Sequence, residues 1–415
     1  MNSLDAFKAL SREFNDQLRT HSPSDLNYAI LIPTLRCNLR CSYCQVSRAD
    51  FNSKGYDWSQ TKTDDVINYL LKNSTQDLKV EFQGGEPTLR VDLLGYIIEK
   101  VSAFRPDATF VICSNLQELT TELLSILEND KVYLSCSLDG PKEIHQANRT
   151  FESHLTEQFF DNLDFILSNF GTDKISLLPT ISDYSKVNET IDFYFEKGLK
   201  DIFLRPVNYH GFARKKFRKE SEDIKSWQVA YQSGIDYLFA KNERSKHKLA
   251  EATFSIHLSK FFNPSSKNYV DLRNPNPLGK DYLVFDYDGA IYPTDEARMM
   301  SRIGLIDFRI GDIKTGLDKK SVEEINLKNS NIGDATCNKC RYQSFCGVDN
   351  IDKISRYGSL DLPTENTFFC QNHLSIFKFV SNKIASKSEI DIKNMNFHLT
   401  GFYEPTTLFS GYYND

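Results

Sequence analysis

Cys37, Cys41 and Cys44 fall within the segment RCNLRCSYCQ, residues 36–45, in the spacing CxxxCxxC. Thiolates are soft ligands suited to iron–sulfur clusters and zinc, and spacings this short let one loop wrap one metal centre. Three thiolates leave one position of such a centre without a protein ligand, which is the arrangement of catalytic rather than structural metal sites. A second group, Cys337, Cys340, Cys346 and Cys370, supplies four thiolates and therefore a closed site, electronic or structural in character. Seven of the nine cysteines belong to these two groups. That is metal-ligand usage in a reducing compartment, pointing to the cytoplasm, and not a disulfide framework. Cys113 and Cys136 stand inside apolar runs and read as buried small hydrophobes.

The elements that must position the first group are legible as a series. Six strand-type runs, YAILIP, LKVEF, ATFVICS, KVYLSCS, KISLLPT and DIFLRP, alternate with amphipathic stretches such as TDDVINYLLKN and VDLLGYIIEKVSAF. Six β/α units in series predict an α/β fold with a parallel sheet, a partial (β/α)6 TIM-like barrel. Loops leaving the C-terminal ends of such strands collect reactive groups. The cysteine loop follows the first run, QGGEP the second, Ser114 and Asn115 the third, and SLDG, with Ser137 and Asp139, the fourth. In QGGEP two glycines allow close backbone approach to a ligand, and Glu86 offers an acceptor for an ammonium group.

Beyond residue 205 the pattern becomes a charged helical connector, then the Pro/Asn-rich RNPNPLGKD, then a hairpin signal in YLVFDYDGAIYPTDEAR with Asp288–Gly289 as its turn. The four-cysteine group follows in a loop-rich stretch of the kind a metal holds together. The expected division is an N-terminal helical segment (1–27), the barrel (28–210), the connector (211–280), a cluster domain (281–375) and a tail (376–415). The aromatic-rich end of the tail, FHLTGFYEPTTLFSGYYND, is expected to pack over the core.

With 40% hydrophobic and 26% charged residues among 415, the composition is that of a soluble protein. A formal charge of -6 argues against a nucleic-acid binder. The basic run ARKKFRKE, from Ala213, reads as a solvated helix face. No apolar run approaches the roughly 18 residues of a membrane span, and the N-terminus lacks the apolar region of a signal peptide. No membrane and no nucleic-acid partner are expected.

With Tyr43 as the aromatic residue, Cys37, Cys41 and Cys44 resemble the CxxxCxΦC motif of the radical S-adenosylmethionine (SAM) enzymes. The resemblance implies a 4Fe-4S cluster whose open iron binds SAM, which is cleaved reductively to a 5'-deoxyadenosyl radical. It implies that Gly84, Gly85 and Glu86 hold the SAM amino group with Gln83 nearby, and that Ser114, Asn115, Ser137 and Arg149 lie against SAM. The pattern CxxCxxxxxC with a distant fourth cysteine resembles the SPASM extension of radical SAM peptide maturases, which implies an auxiliary 4Fe-4S cluster; zinc is the other metal such thiolates hold. That extension commonly carries two auxiliary clusters. Here Thr294 and Asn350 stand where ligands of the other would be, so one auxiliary cluster is expected. Asp295 matches the candidate base of anaerobic sulfatase maturases.

Further stretches, among them IFLRPVNYHGFA, DYDGAIYPTDEARMM and CNKCRYQSFCG, resemble the His-Xaa-Ser system radical SAM maturases over residues 28 to 375. The implied activity is abstraction of a side-chain hydrogen from a ribosomally made peptide or protein, forming a cyclophane-type crosslink or an oxidised side chain. The implied partners are that substrate, an electron donor such as flavodoxin or ferredoxin, and a separate leader-recognition protein, because few residues precede the first strand. Two other readings stand beside this one. One is a radical SAM enzyme acting on a small molecule or RNA, and the other is a zinc-stabilised interaction module without catalysis.

Overall fold

The computed structural model describes residues 26–216, 220–262, 272–274, 276–327, 329, 331 and 334–401. The expected N-terminal helical segment up to residue 25 and the aromatic tail from residue 402 lie outside the described residues.

Strand β1 (Leu26–Thr34) is buried almost end to end, the signature of a strand covered on both faces. It starts a series in which each strand is followed by a helix: α1 (Gln60–Asn73), β2 (Ser74–Gly84), α2 (Val91–Phe104), β3 (Thr109–Ser114), α3 (Thr121–Leu127), β4 (Val132–Ser137), α4 (Ser153–Phe170), β5 (Ile175–Leu178) and α5 (Val187–Glu196). The helices form because apolar residues recur at helical spacing, as in Leu93, Leu94, Ile97, Ile98 and Val101 of α2. Ser59 caps α1 by accepting the Lys62 N–H at 3.3 Å.

Within the parallel sheet, β1 pairs with β2 (Ala29↔Val80, Leu31↔Phe82) and β2 with β3 (Phe82↔Ile112), then β4 and β5 follow in order. The sixth parallel strand is not DIFLRP. It is β6 (Tyr282–Phe285), which pairs in parallel with the other edge of β1 (Ala29↔Leu283). β6 turns at Asp288–Gly289 into β7 (Ala290–Tyr292), and β8 (Gly311–Asp312) and β9 (Gly316–Leu317) extend the antiparallel edge. The sheet order is therefore β9-β8-β7-β6-β1-β2-β3-β4-β5. The segment read as the sixth strand contributes only two-residue bridges, Asp201–Ile202 to Ala250–Glu251 and Arg205–Pro206 to Thr180–Ile181. Its Leu204 N–H is spent on the buried Glu251 carboxylate at 3.1 Å, and Pro206 has no N–H to give. The hairpin expected in a separate cluster domain thus belongs to the central sheet.

Alternation along the strands sorts the sheet into two faces. Ala29, Leu31, Val80, Phe82, Phe110, Ile112, Leu134 and Cys136 belong to the main apolar core with the helices. The intervening residues, Tyr28, Ile30, Lys79, Glu81, Val111, Cys113, Ser135 and Ser176, all line one cavity, so the sheet is concave around it, as in a partial barrel.

The later chain covers one side of this barrel with helices α6 (Glu220–Arg244) and α7 (Ala252–Phe262). The short helices α8 (Asp295–Arg302) and α9 (Asn350–Tyr357) follow. Then α10 (Phe368–Ser386) runs unbroken through the boundary expected at residue 375, and α11 (Glu389–Gly401) follows it. Trp227 Nε1 of α6 donates to Asn372 Oδ1 at 3.1 Å, and Asn242 Nδ2 donates to Asn394 Oδ1 at 2.9 Å. The chain read as a tail is, as far as residue 401, a packed layer. Among the described residues no helix is long and apolar enough to cross a membrane.

Candidate active site

The three-cysteine loop leaves β1 and is tied down at several points. Arg36–Cys37 bridges to Ala49–Asp50, Ser42 N–H donates to Asn148 O at 2.7 Å, and Ala213 N–H donates to Cys44 O at 3.0 Å. Polar groups face two of the sulfurs. Asn115 Nδ2 stands 3.8 Å from Cys37 Sγ, and Arg149 Nη1 stands 3.8 Å from Cys41 Sγ.

Gly84 and Gly85 line the cavity and also permit a close approach of the chain to itself. A Cβ on Gly84, where φ is +141°, would sit 2.1 Å from Thr34 O, and one on Gly85 would sit 2.2 Å from Arg36 O. Only glycines let the β2 loop lie against the cysteine loop's own backbone, joined by Gly85 N–H to Thr34 O at 3.1 Å and Glu86 N–H to Arg36 O at 2.8 Å.

The Glu86 carboxylate, read as an acceptor for an ammonium, is buried and already accepts from Thr88 Oγ1 at 2.7 Å, Ser114 Oγ at 3.0 Å and Asn115 N–H at 2.7 Å. Burial pushes it up from its ordinary range against these donors. It braces the β2 loop to the β3 loop. Ser114 and Asn115 are accordingly held in place by it, and Asn115 Nδ2 also donates to Asn38 Oδ1 at 2.7 Å.

Arg149 lies in a single π-helical turn, Gln146–Thr150, closed by Phe151 at φ +61°. Such turns recur at functional sites because they re-aim a side chain. Arg149 Nε donates to the fully buried Asp139 at 3.2 Å, and Tyr43 OH donates to the other Asp139 oxygen. Burial works against the Arg149 charge, but Asp139, Tyr43 and Cys41 together hold it protonated well beyond the usual range. Asp139 is thereby the anchor that carries both the arginine and the aromatic residue of the motif.

Below this mouth, a polar cluster inside the barrel went unread in the sequence. Tyr28 OH donates to Glu81 at 2.7 Å, Gln83 Nε2 at 2.6 Å, and Lys79 stands 3.7 Å away. Cys113 Sγ donates to the same carboxylate at 3.2 Å, so it faces the cavity and is not an apolar filler; Cys136, on the opposite face, is core as expected. The signal was present in LKVEF, whose charges fall two residues apart on one face of the strand.

Thr294, at one of the missing ligand positions, caps α8 by accepting the Ala297 N–H at 3.1 Å. Asn350, at the other, is the first residue of α9, capped by Asp349, which accepts from Ile351 and Asp352 at 2.9 Å. Asp295 is buried and ion-paired to the buried Arg298 (Nε to Oδ1, 2.8 Å). It lines the same cavity, of about 330 Å³, as Cys37, Cys41, Cys44, Gln83, Gly84, Gly85, Glu86, Ser114, Asn115, Ser137 and Arg149. The structure thus brings every residue singled out for the first centre to one space. Arg214, read as part of a solvated face, instead donates to Ser355 O at 2.6 Å.

The four-cysteine group lies apart from that cavity. Cys337 begins a short 3-10 turn and its N–H donates to Asp334 at 2.9 Å, while Cys370 sits in the first turn of α10, capped by Thr367. Cys340 and Cys346 pack against the cluster of Phe203, Tyr342, Phe345 and Phe377.

Both groups fit a metal–sulfur centre by the chemistry of their donors. Burial pushes Cys37 up to about 12 and Cys41 up to about 11. It likewise pushes Cys337 up to about 12 and Cys370 up to about 11. Cys346 is raised by burial and then by Cys370, Cys337 and Cys340, which places the four thiols within electrostatic reach of one another. Such thiols stay protonated among protein atoms alone, whereas a bound cationic centre takes them as thiolates.

Residues 31–194 match the Radical SAM superfamily model. A cysteine-type anaerobic sulfatase-maturating enzyme of Clostridium perfringens is 23% identical over 382 residues, covering 84% of this chain and 95% of that protein. Among solved structures, anSMEcpe with bound AdoMet superposes with a TM-score of 0.65 at 17% identity, covering 89% of this chain and 98% of that one. Streptococcus suis SuiB bound to its precursor peptide SuiA gives 0.57 at 15% identity, covering 83% and 77%. The Radical SAM superfamily match sets aside the reading of the chain as a non-catalytic zinc module. Residues 31–194 form a Radical SAM superfamily domain, and the chain has the fold of these solved structures.

Proposed function

We propose that the enzyme is a maturase of a ribosomally made peptide or protein, forming a cyclophane-type crosslink or an oxidised side chain. The observation that carries this reading is the single cavity in which the three-cysteine loop, the Gly84–Gly85 loop and Asp295 meet. The cluster and SAM, bound there, would supply hydrogen-atom abstraction from the substrate. Cys37, Cys41 and Cys44 hold the cluster; the Gly84–Glu86 backbone, with Gln83, Ser114, Asn115, Ser137 and Arg149, surrounds SAM. Glu86 acts in this scheme by bracing the loops, since its oxygens already have donors.

Asp295 is assigned as the base. An oxidation or crosslink releases a proton, and a carboxylate at the cavity wall can accept it; Arg298 holds its Oδ1, so Oδ2 is the accepting atom. Cys337, Cys340, Cys346 and Cys370 would hold one auxiliary 4Fe-4S cluster, a group that would supply electron transfer. A flavodoxin or ferredoxin supplies the reducing electron, a separate protein presents the leader, and the enzyme works in the cytoplasm. Residues 28–210 with the hairpin form the radical-generating unit in this assignment. The deciding experiment is mass spectrometry of the short peptide encoded beside the enzyme after co-expression. A mass loss in units of two hydrogens supports the maturase, and an unchanged mass together with a modified RNA or small molecule would overturn it.

A further inference from the structure

Beside the cavity of the three cysteines lies a second chamber of about 180 Å³, and Phe203, Arg205, Tyr282 and Glu296 stand on the walls of both. Its lining mixes apolar side chains, among them Trp227, Ile256, Leu278 and Phe369, with polar and charged ones such as Arg273, Asn372 and Asp349. Helix α9 contributes Asp352 and Arg356, one turn apart on the same face. Their exposures are 7% and 9%, so both are more than nine-tenths buried.

The pair is rigid and incomplete. Arg356 Nε donates to Asp352 Oδ1 at 2.7 Å, and the guanidinium carbon sits 3.7 Å from the Phe368 ring centre and 4.5 Å from that of Tyr209. Two rings fix its plane. Yet Arg356 Nη1 and Asp352 Oδ2 have no hydrogen-bond partner among the described residues. Buried polar atoms in native proteins are nearly always paired, so an unpaired donor and acceptor at a chamber wall mark the place of a ligand.

Their polarity says which ligand. A carboxylate would satisfy Arg356 but face Asp352, and an ammonium would satisfy Asp352 but face Arg356. A neutral amide offers a C=O to Nη1 and an N–H to Oδ2 and sets no like charge against either side chain. We propose that this chamber is the specificity site of the enzyme, gripping an uncharged amide of the substrate between Arg356 and Asp352, with an apolar neighbour against the chamber wall. The identity of that substrate as a peptide or protein rests on the maturase reading. The amide comes either from an extended residue, whose own N–H and C=O point to one side, or from an Asn or Gln side chain.

The test uses the full chain, purified anaerobically with its metal, in calorimetric titrations without SAM or reductant. The probes are N-acetyl-leucine methylamide, butyramide, N-acetyl-leucine and leucine methylamide. Binding of the first assigns a backbone amide and binding of the second a side-chain amide; the charged third and fourth should bind at least about tenfold more weakly. Arg356→Lys keeps a cation opposite Asp352 but loses the fixed donor, and Asp352→Asn turns the acceptor into a donor. Each should weaken the bound neutral probe about tenfold. Failure of both neutral probes to bind, equal affinity in both variants and the wild type, or preference for a charged probe would overturn the proposal. Failure of the maturase reading is read separately, as an unmodified peptide in the co-expression experiment, on which these affinities do not depend.

Discussion

The two cysteine groups are built from opposite materials. Cys37, Cys41 and Cys44 hang from the end of a parallel strand, with an amide and a guanidinium aimed at two of their sulfurs and a cavity in front of them. Cys340 and Cys346 lean on aromatic rings, Cys337 starts a 3-10 turn, and Cys370 is locked into the first turn of a 19-residue helix. A loop at a strand end can present side chains to an incoming molecule while the sheet stays rigid. A site pinned between helix starts and an apolar cluster has its ligands satisfied from all sides. In the proposed assignment this contrast is that of an open centre and a closed one.

The largest effect that tests this contrast is on the open side. Cys37→Ala should reduce 5'-deoxyadenosine formation from SAM, measured by liquid chromatography under anaerobic reduction, to background; full cleavage in this variant would end the assignment of the open centre. Next comes Asp295→Asn, which should lower modified peptide per 5'-deoxyadenosine by about 100-fold, the usual scale of a lost general base. An unchanged ratio would leave Asp295 as merely the partner of Arg298.

Asp139→Asn should destabilise the chain by about 3–5 kcal/mol in denaturant unfolding, because Arg149 would be left as an uncompensated buried charge. A loss under about 1 kcal/mol would show that Asp139 does not anchor the mouth. On the closed side, Cys370→Ser should halve the iron content, from about eight to about four per chain if each group holds a four-iron cluster. Zinc at the closed site would instead leave iron near four in both proteins.

The smallest effect concerns the scaffold behind the closed site. Glu251 accepts the Phe254 N–H at the start of α7 at 2.6 Å, and burial pushes it up to about 7. Because the folded value lies above the unfolded one, the folded state binds the extra proton between about pH 4.3 and 7. Stability contributed by this group is therefore full below that window and falls as pH rises through it. Asp201, also pushed up to about 7 by burial, adds in the same direction. Thermal unfolding of the wild type and Glu251→Gln side by side isolates this group: from pH 5 to pH 8 the wild type should lose a few degrees of Tm relative to the variant, and a constant difference between them would remove Glu251 from the pH response.

Much of the barrel was legible because its signal is local. Apolar runs of strand length, helices with a one-sided stripe, and glycines and acids at the run ends all appear in order, and VDLLGYIIEKVSAF is α2 end to end. What misled was equally local in form. DIFLRP reads as a strand, but its Leu204 amide is taken by Glu251 and its proline has none to give. Tyr282–Phe285 reads as half of a hairpin and is that, while also supplying the parallel neighbour of β1. Pairing partners across 250 residues leave no mark on either segment alone.

The sequence by itself singled out the thiols proposed as ligands, since thiolate chemistry and short spacing decide what a loop can hold, and it determined the order of β/α units through the period of their apolar residues. Only the tertiary structure decided where polar groups point. It put Glu86 into a brace between two loops, aimed Cys113 at Glu81 and into the cavity, and left Arg356 Nη1 and Asp352 Oδ2 unpaired at the wall of a second chamber. The reason is that composition and periodicity settle which side of an element is buried, whereas a hydrogen bond is a property of two side chains that meet only after the elements have packed.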